Sequence, residues 1–246
     1  MTTANQTIAG KRVLVTGANG GIGAALVDAF LAAGAAEVIA AARQTLARRD
    51  RVVPVRLDIT DVPSVVSLAA RLGSNIDILV NNAGFNANTG ALEPVSSEAA
   101  REEMEVNYFG TLNLLRAFAP AMRARRSGVI VNMLTMLSHV NLPAMGSYCA
   151  SKAAVLSLTQ AARAELAPAG VSVIAILPSG VDTRMSAESA APKLAPAEVA
   201  AETVQAILEG VDDCYPGKAA TEFYAAFRQD PKALEKRLAT RLPARR

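Results

Sequence analysis

A tyrosine and a lysine lie four residues apart in the segment SYCASKAAV, at Tyr148 and Lys152. On a helix this spacing places both side chains on one face. A free phenol has a pKa of about 10, and lowering that pKa to neutrality requires roughly 4 kcal/mol. A lysine ammonium at ~4 Å contributes about that much in a partly dry cleft, but only about 1 kcal/mol in water. The pair is therefore a candidate for proton transfer if it lines a cleft, and an ordinary surface pair if the helix is solvated.

A second candidate site is the glycine-rich segment TGANGGIG, residues 16–23, which follows a strand pattern and precedes a helix pattern. This context suits a dinucleotide, because free N–H groups at the amino terminus of a helix attract a pyrophosphate. Gly17 permits the tight turn, Gly21 the close approach of the pyrophosphate, and Gly23 the close packing of helix on strand. Glycine-rich turns without ligands are common, so the position after the first strand is what favours a nucleotide site.

Both candidates lie within an alternation of short β-branched runs and longer helical patterns. This alternation is typical of an α/β protein with a Rossmann-like, doubly wound parallel sheet flanked by helices on both faces. No repeat or linker divides the chain, so we interpret residues 1–246 as a single domain. Strands are predicted over residues 11–16, 37–41, 51–58, 77–81, 128–134 and 171–177, with a short edge strand near 214–217. Helices are predicted over residues 24–33, 62–72, 98–122, 147–166 and 196–208 and through the C-terminal segment, where Pro231 starts the last one.

Two connections depart from the simplest form of this fold. Only about ten residues separate the second and third strands, so a crossover helix there has room for little more than a turn or two. Residues 184–196, after the last long strand, are small, polar and bounded by proline. We interpret residues 184–196 as a mobile lid.

Six motifs in order resemble the short-chain dehydrogenase/reductase family over residues 11–183. They are the glycine loop, Asp58 after the third strand, NNAG at residues 81–84, Asn107 in VNYFG, the Tyr148–Lys152 pair and PSGVDT at residues 178–183. The resemblance implies an NAD(P)-dependent oxidoreductase that interconverts a carbonyl compound and an alcohol by hydride transfer. It also implies a homodimer or homotetramer, since the two long helices commonly pair between subunits in this family.

The resemblance assigns four catalytic residues. Tyr148 is the general acid and base, and Lys152 holds the nicotinamide ribose and lowers the tyrosine pKa. Asn107 anchors a water molecule that links Lys152 to solvent. The family usually has a serine thirteen residues before the tyrosine, where this chain has Thr135. Threonine keeps the hydroxyl that orients the substrate oxygen, and the spacing favours it over the alternative, Ser138.

The end of the second strand bears on the choice of cofactor. Where an NAD-preferring member carries an acidic residue, this chain has Ala42 followed by Arg43. An arginine without a competing carboxylate suits a 2′-phosphate, so we expect NADP(H) rather than NAD(H), the alternative being that Arg43 is only a surface charge. The usual Pro-Gly pair after the sixth strand is here Pro178-Ser179, which is expected to shift the loop at the nicotinamide. The expected cofactor-binding residues are Gly17, Asn19, Gly21, Ile22, Gly23, Arg43, Asp58, Ile59, Asn82, Ala83, Gly84, Tyr148, Lys152, Pro178, Val181 and Thr183.

Candidate substrate contacts follow the strand ends and are mostly apolar, which favours an apolar ketone or secondary alcohol. Methionines at such positions are more often core filler than substrate contacts. The candidates are Asn86, Leu137, Met145, Ser179 and Met185.

Composition argues against several other classes of protein. The net charge is only +3, and no aromatic-basic pattern suggests a nucleic-acid partner. The two cysteines lack metal-ligand spacing, and neither a signal-peptide core nor an unbroken apolar span is present, so we expect no metal, no membrane association and a cytoplasmic location. A basic C-terminal end is interpreted as a frayed, solvated terminus carrying Arg237, Arg241, Arg245 and Arg246.

Four other functions fit the sequence less well. A hydrolase using Ser138 and His139 is disfavoured because adjacent residues cannot form the required relay. A non-catalytic NAD(P)-sensing protein on the same fold would be expected to lose the tyrosine or the lysine. A lyase, dehalogenase or epimerase on the same scaffold is another alternative, but a dehalogenase of this type would not need the glycine loop. A purely structural module leaves the polar residues at the strand ends unexplained.

Overall fold

The strands of this computed structural model, which describes residues 6–93 and 96–243, all run parallel in one sheet. In the described part of the chain they are β1 Arg12–Thr16, β2 Glu37–Ala42, β3 Val52–Arg56, β4 Ile78–Asn81, β5 Gly128–Met133, β6 Val171–Ile176 and β7 Asp213–Cys214. Their order across the sheet is β3-β2-β1-β4-β5-β6-β7. The predicted Rossmann-like parallel sheet is confirmed, and the sheet order reverses direction between β1 and β4, where such folds bind their ligands.

Helices cover both faces of this sheet, as predicted. They are α1 Gly21–Ala32, α2 Val62–Leu72, α3 Ser96–Glu103, α4 Gly110–Arg125, α5 Gly146–Leu166, α6 Pro196–Glu209, α7 Gly217–Gln229 and α8 Pro231–Leu238. Most bounds differ from the predicted ones by a few residues. The edge strand predicted near residues 214–217 is instead Asp213–Cys214, because Gly217 already begins α7.

The core consists of two apolar layers, one on each face of the sheet. Successive side chains of a strand point to opposite faces. Accordingly, Val13 and Val15 of β1 join the cluster that contains Phe30 of α1, whereas Leu14 joins the cluster that contains Phe118 of α4. Because its strands are buried on both faces, the sheet gives continuous apolar runs in the sequence rather than alternating ones.

The connection from β2 to β3 contains no helix at all within residues 43–51. Leu46 packs against the apolar core from this loop, and Arg49 pairs with Asp28 of α1. Arg51, at a φ of 52°, donates a hydrogen bond from Nη1 to the carbonyl oxygen of Ala35 at 3.1 Å. A loop held by these contacts therefore replaces the short crossover helix for which the sequence left room.

The helix predicted over residues 98–122 differs from the structure in an informative way. Between α3 and α4 the backbone widens into a π-helical stretch over Met104–Phe109. Such stretches are rare and occur mostly at functional sites. Here the stretch contains Asn107, which is 1% exposed.

The described part of the C-terminal segment packs against the rest of the protein. The prediction of a frayed, solvated terminus is therefore wrong for this part. Leu234 and Leu238 of α8 are buried, and the backbone N–H of Ala144 donates to the carbonyl oxygen of Arg241 at 3.2 Å. Arg237 lies within α8 with its side chain exposed. The two last members of that group, Arg245 and Arg246, lie outside the described residues. Over residues 6–93 and 96–243, no helix has the length and apolar character needed to cross a bilayer.

Candidate active site

A cleft of about 420 Å³ opens at the carboxyl ends of the central strands, at the point where the strand order reverses. Ligands of open α/β sheets bind at such points because the loops that follow neighbouring strands diverge there. Fourteen of the expected cofactor residues line this cleft: Gly17, Asn19, Gly21, Ile22, Gly23, Arg43, Asp58, Ile59, Asn82, Ala83, Gly84, Tyr148, Lys152 and Thr183.

The glycine loop between β1 and α1 has a backbone that side chains would disrupt. Gly17 has a φ of 66°, and a Cβ there would lie 2.9 Å from the Cα of Ala83. A Cβ at Gly23 would lie only 2.1 Å from the carbonyl oxygen of Gly17. The loop is therefore tight at its first glycine, and α1 packs against it at its last.

The amino terminus of α1 fits a pyrophosphate. Gly20 caps the helix, and among the described residues no side chain hydrogen-bonds the first N–H groups. Gly21 has a φ of 51°, and a Cβ there would lie 2.9 Å from Cγ2 of Thr183. The loop therefore forms a cradle that side chains would fill, with free N–H groups and a helix dipole that favour an anion.

The part of the cleft next to the ends of β2 and β3 carries one acidic and one basic side chain, Asp58 and Arg43. Asp58 accepts hydrogen bonds from the N–H of Thr60 at 3.0 Å and from its hydroxyl at 2.7 Å. These bonds, with a smaller contribution from the positive charge of Arg43, hold the pKa of Asp58 below its usual value. Ala42 ends β2 and is buried, so the last residue of β2 carries no carboxylate, and the acid near Arg43 is Asp58, which follows β3.

Tyr148 and Lys152 lie in the first two turns of α5 and both line the cleft. Their exposed fractions are only 9% and 6%. The Nζ atom of Lys152 lies 6.0 Å from the ring centroid of Tyr148 and donates a hydrogen bond to the carbonyl oxygen of Met133 at 3.0 Å. The pair is therefore buried at the cleft wall and is not an ordinary surface pair.

The direction of the tyrosine pKa differs from the expectation. Burial raises the pKa of Tyr148 above its usual value, and the thiol of Cys149 and the carboxylate of Glu103 raise it further. Burial also lowers the pKa of Lys152, to about 8. Desolvation of the phenolate is the largest effect, so the presence of Lys152 does not by itself make Tyr148 acidic in this structure.

Asn107 is held by backbone and side-chain groups beside this pair. Its Oδ1 accepts from the N–H of Phe85 at 2.8 Å, and its Nδ2 donates to the carbonyl oxygen of Phe85 at 2.8 Å and to Oγ of Ser151 at 2.9 Å. A Cβ at Gly84 would meet both Oδ1 of Asn107, at 3.1 Å, and Nζ of Lys152, at 3.4 Å. Gly84 thus allows the asparagine and the lysine to approach one another.

The two candidate hydroxyls differ in their contacts. Oγ1 of Thr135 donates to the carbonyl oxygen of Pro178 at 3.4 Å and accepts from the N–H of Leu137 at 3.3 Å, both long bonds. Oγ of Ser138 is buried and has no hydrogen-bond partner in the described part of the chain. Four of the expected catalytic and cofactor-binding residues are not part of the cleft lining: Thr135, Asn107, Pro178 and Val181.

The structure places the five candidate substrate residues in different surroundings. Met185 lines the cleft and is 40% exposed. Nδ2 of Asn86 contacts Sδ of Met145 at 3.1 Å, outside the lining of this cleft. Leu137 is buried in an apolar cluster with Tyr148, and Ser179 is half-buried away from the cleft. The structure therefore brings only Met185 of the five directly to the cleft.

Several lining residues were not singled out from the sequence. Oγ1 of Thr16, the last residue of β1, accepts from the N–H groups of Asn82 and Ala83 at 3.0 and 3.1 Å, which joins the NNAG segment to the glycine loop. Arg184 lies with its Nη2 atom 3.6 Å from where a Cβ of Gly20 would be. Because Arg184 directly follows Thr183, an expected cofactor residue, the sequence could have indicated that it lines the cleft. The other lining residues that were missed are Gly20, Ala41, Gln44, Leu57, Val106, Met133 and Leu134.

The sequence matches the family model of the short chain dehydrogenases over residues 11–194. It is 40% identical over 184 residues to a sorbitol dehydrogenase of Cereibacter sphaeroides, a match that covers 70% of this chain and 71% of that protein. It is 35% identical over 194 residues to a dehydrogenase/reductase SDR family protein 7-like of Anopheles gambiae. That match covers 72% of this chain but only 61% of the mosquito protein, less than two thirds of its length.

Solved structures share the whole fold. A short chain dehydrogenase from Burkholderia cenocepacia, solved in complex with NADP, is 46% identical and superimposes with a TM-score of 0.90 over 95% of this chain and 99% of that one. A short-chain dehydrogenase from Streptomyces avermitilis is 29% identical, with a TM-score of 0.81 over 94% of this chain and 97% of that one. The similarity therefore extends beyond residue 194, into the C-terminal part of the chain.

Proposed function

The chain belongs to the short-chain dehydrogenase/reductase family of NAD(P)-dependent oxidoreductases, and we propose that it interconverts a carbonyl compound and an alcohol with Tyr148 as the general acid and base. The observation that carries this proposal is the placement of Tyr148 and Lys152 together on the wall of the cleft that the glycine loop lines. A phenol and an ammonium that share a dry cleft with a pyrophosphate cradle are suited to proton transfer beside a nucleotide.

Each side chain has a distinct part in the proposed reaction. When bound, NADP(H) supplies or accepts the hydride. In reduction, Oη of Tyr148 donates a proton to the substrate oxygen, and in oxidation it takes the proton back. The hydroxyl of Thr135 orients the same oxygen after a small shift toward the cleft. Lys152 holds the nicotinamide ribose, and Asn107 retains the water that connects Lys152 to solvent.

The cofactor residues at the other end of the cleft support NADP(H) over NAD(H). Arg43 lines the cleft directly after Ala42, so the end of β2 offers a guanidinium and no carboxylate. A guanidinium binds a phosphate strongly, whereas the 2′-hydroxyl of NAD would need an acceptor there. The NADP complex of the Burkholderia cenocepacia relative agrees with this choice.

The substrate proposed for this cleft is an apolar ketone, aldehyde or secondary alcohol. Its support is the apolar character of several side chains that line the cleft together with Tyr148, namely Phe85, Leu134 and Met185. Residues 184–196 serve as the lid. Two hydrogen bonds tether the end of this segment, from the N–H of Leu194 to Gly180 at 2.8 Å and from the N–H of Asp182 to Leu194 at 2.9 Å.

We propose a homodimer or homotetramer as the assembled form. An apolar groove of about 590 Å³ runs along α4 and α5 and is lined by Leu112, Leu115 and Leu158, among others. Sedimentation analysis tests this assembly, and substitution of Leu158 by lysine is expected to dissociate it.

The test of the proposed function is a turnover assay with matched cofactors. Absorbance of NADPH and of NADH is followed separately against a panel of apolar ketones and aldehydes, and NADP⁺ and NAD⁺ against secondary alcohols. We expect NADPH oxidation by some members of the panel. Tyr148→Phe, the matched control, should bind NADPH with unchanged Kd and lose roughly 10²- to 10⁴-fold in kcat. NADPH binding without turnover on any probe would favour a non-catalytic cofactor sensor instead.

A further inference from the structure

Glu103, the last residue of α3, is a fully buried carboxylate that the proposed mechanism does not use. Its exposed fraction is 0%. In the described part of the chain, no cationic side chain lies within ion-pair distance of it. A buried charge without a counterion is costly, and such groups are kept where hydrogen bonds or a function compensate.

Both oxygens of this carboxylate are occupied by groups that flank the active site. Oε2 of Glu103 accepts a hydrogen bond from Oγ of Ser147 at 2.5 Å, and Oε1 accepts from the N–H of Ala87 at 2.8 Å. Ser147 directly precedes Tyr148 in the first turn of α5, and Ala87 lies in the segment after β4. One side chain therefore joins the start of the catalytic helix to that segment.

Glu103 acts together with Asn107, four residues further on. Residues at this spacing face the same side of a helix. Asn107 holds both backbone groups of Phe85 at 2.8 Å, while Glu103 holds the N–H of Ala87. The segment after β4 is thus attached at two points, and only one of them, Glu103, carries a charge.

We propose that Glu103 is a positioning residue for Tyr148, which fixes the first turn of α5 and places a buried negative charge beside the residue that precedes the phenol. This inference rests on the proposed function, because it concerns the proton that Tyr148 transfers. The groups that face the phenol are the Lys152 ammonium and the Cys149 thiol from α5 and the Glu103 carboxylate from α3. The Glu103 carboxylate disfavours the negatively charged phenolate and so helps to keep the phenol protonated.

This arrangement favours one direction of the proposed reaction. A phenol that retains its proton is in the form that can donate one and not in the form that can accept one, which suits reduction of the carbonyl more than oxidation of the alcohol. Burial, the Cys149 thiol and the Glu103 carboxylate all raise the pKa of Tyr148, in agreement with this role. Removal of the carboxylate charge should therefore shift the balance toward the phenolate.

A titration of Tyr148 itself tests the proposal without any substrate. The protein is labelled with ¹³Cζ-tyrosine, the Tyr148 resonance is assigned by its loss in Tyr148→Phe, and the titration is recorded with NADP⁺ present. Glu103→Gln keeps the size and removes the charge, and we expect it to move the Tyr148 titration to lower pH by on the order of one pH unit. Ser147→Ala, the matched control, removes a hydrogen bond but no charge and should leave the titration in place. Glu103→Asp, which restores the charge, should return it toward the wild-type position.

Two results would overturn the proposal. One is a Tyr148 titration at the same pH in the wild type and Glu103→Gln, including the absence of titration in both. The other is failure to fold of Glu103→Gln and also of Glu103→Met, a second neutral variant, which would make Glu103 a structural residue only.

The proposed function can fail separately from this inference. If no carbonyl probe is reduced and yet Glu103→Gln moves the titration, the coupling of Glu103 to Tyr148 stands and the assigned reaction falls. If turnover is found, the alkaline limb of the kcat profile for reduction should move to lower pH in Glu103→Gln, because the phenol then loses its proton earlier. Ser147→Ala should leave that limb unchanged.

Discussion

The Nζ atom of Lys152 donates a hydrogen bond to the carbonyl oxygen of Met133 at 3.0 Å, from α5 to the last residue of β5. This bond holds the ammonium at the cleft wall, 6.0 Å from the ring centroid of Tyr148. Because Lys152 is 6% exposed, its pKa falls to about 8. At neutral pH the folded protein therefore keeps a charge in surroundings that disfavour it.

Lys152→Met is expected to abolish turnover and yet stabilise the fold at pH 7. The lowered pKa of Lys152 corresponds to a destabilisation of the folded wild-type protein by up to about 3 kcal/mol, which the variant removes. The variant also loses the hydrogen bond to Met133, which offsets roughly 1 kcal/mol of this gain. Between about pH 8 and the usual lysine pKa, the unfolded chain binds more protons than the folded one, so wild-type stability rises with pH there and the gain of the variant shrinks. Urea unfolding across this window measures the difference. Lys236→Met, at an exposed position, is the control, and a pH-independent difference for Lys152→Met would contradict the prediction.

Gly23→Ala is expected to lower the free energy of unfolding by about 2–4 kcal/mol and to weaken NADPH binding. The added Cβ would lie 2.1 Å from the carbonyl oxygen of Gly17, a backbone atom that cannot move without opening the loop. Gly20→Ala is the matched control, since its Cβ would meet only the end of the Arg184 side chain at 3.6 Å. Thermal unfolding of the two variants should separate them clearly, and equal stability would show that the loop is less tight than its geometry indicates. Because Gly20 also lines the cleft, Gly20→Ala is a control for stability and not for NADPH binding.

The two hydroxyls after β5 should differ in their effects. Thr135→Ala is expected to lower kcat by roughly 10²- to 10³-fold, as loss of a group that orients the reacting oxygen does. Ser138→Ala should keep kcat within about threefold and slightly raise Tm, because it removes a buried hydroxyl without a partner in the described chain. Steady-state kinetics and thermal unfolding measure both variants. The reverse order of activities would assign the role to Ser138.

Arg43→Ala is expected to lower kcat/KM for NADPH by about 10- to 100-fold, since a charge-assisted bond to the 2′-phosphate is lost. The value for NADH should change by less than about threefold, because NADH carries no phosphate there. Arg48→Ala, a basic residue of the same loop outside the cleft lining, is the control. Equal losses with the two cofactors would show that Arg43 does not select between them.

Much of the fold and part of the site could be predicted from the sequence, because both are encoded locally. Apolar runs and helical periodicity place β1 and α5 within a few residues of their observed bounds. The glycine loop and the four-residue spacing of Tyr148 and Lys152 are also local, and the sheet then brings the two to one cleft. Parallel strands end at the same edge, so residues that follow them must converge.

Contacts between distant segments decided the rest. The hydrogen bond from Ser147 to Glu103 spans 44 positions, and no local pattern indicates that Glu103 is buried. The π-helical stretch around Asn107 and the loop that replaces a crossover helix likewise depend on packing against other elements. The direction of the Tyr148 pKa is set by desolvation, which sums over all the atoms that exclude water from the phenol. Spacing along the chain therefore identified the reacting groups, whereas their protonation depends on surroundings that only the folded chain assembles.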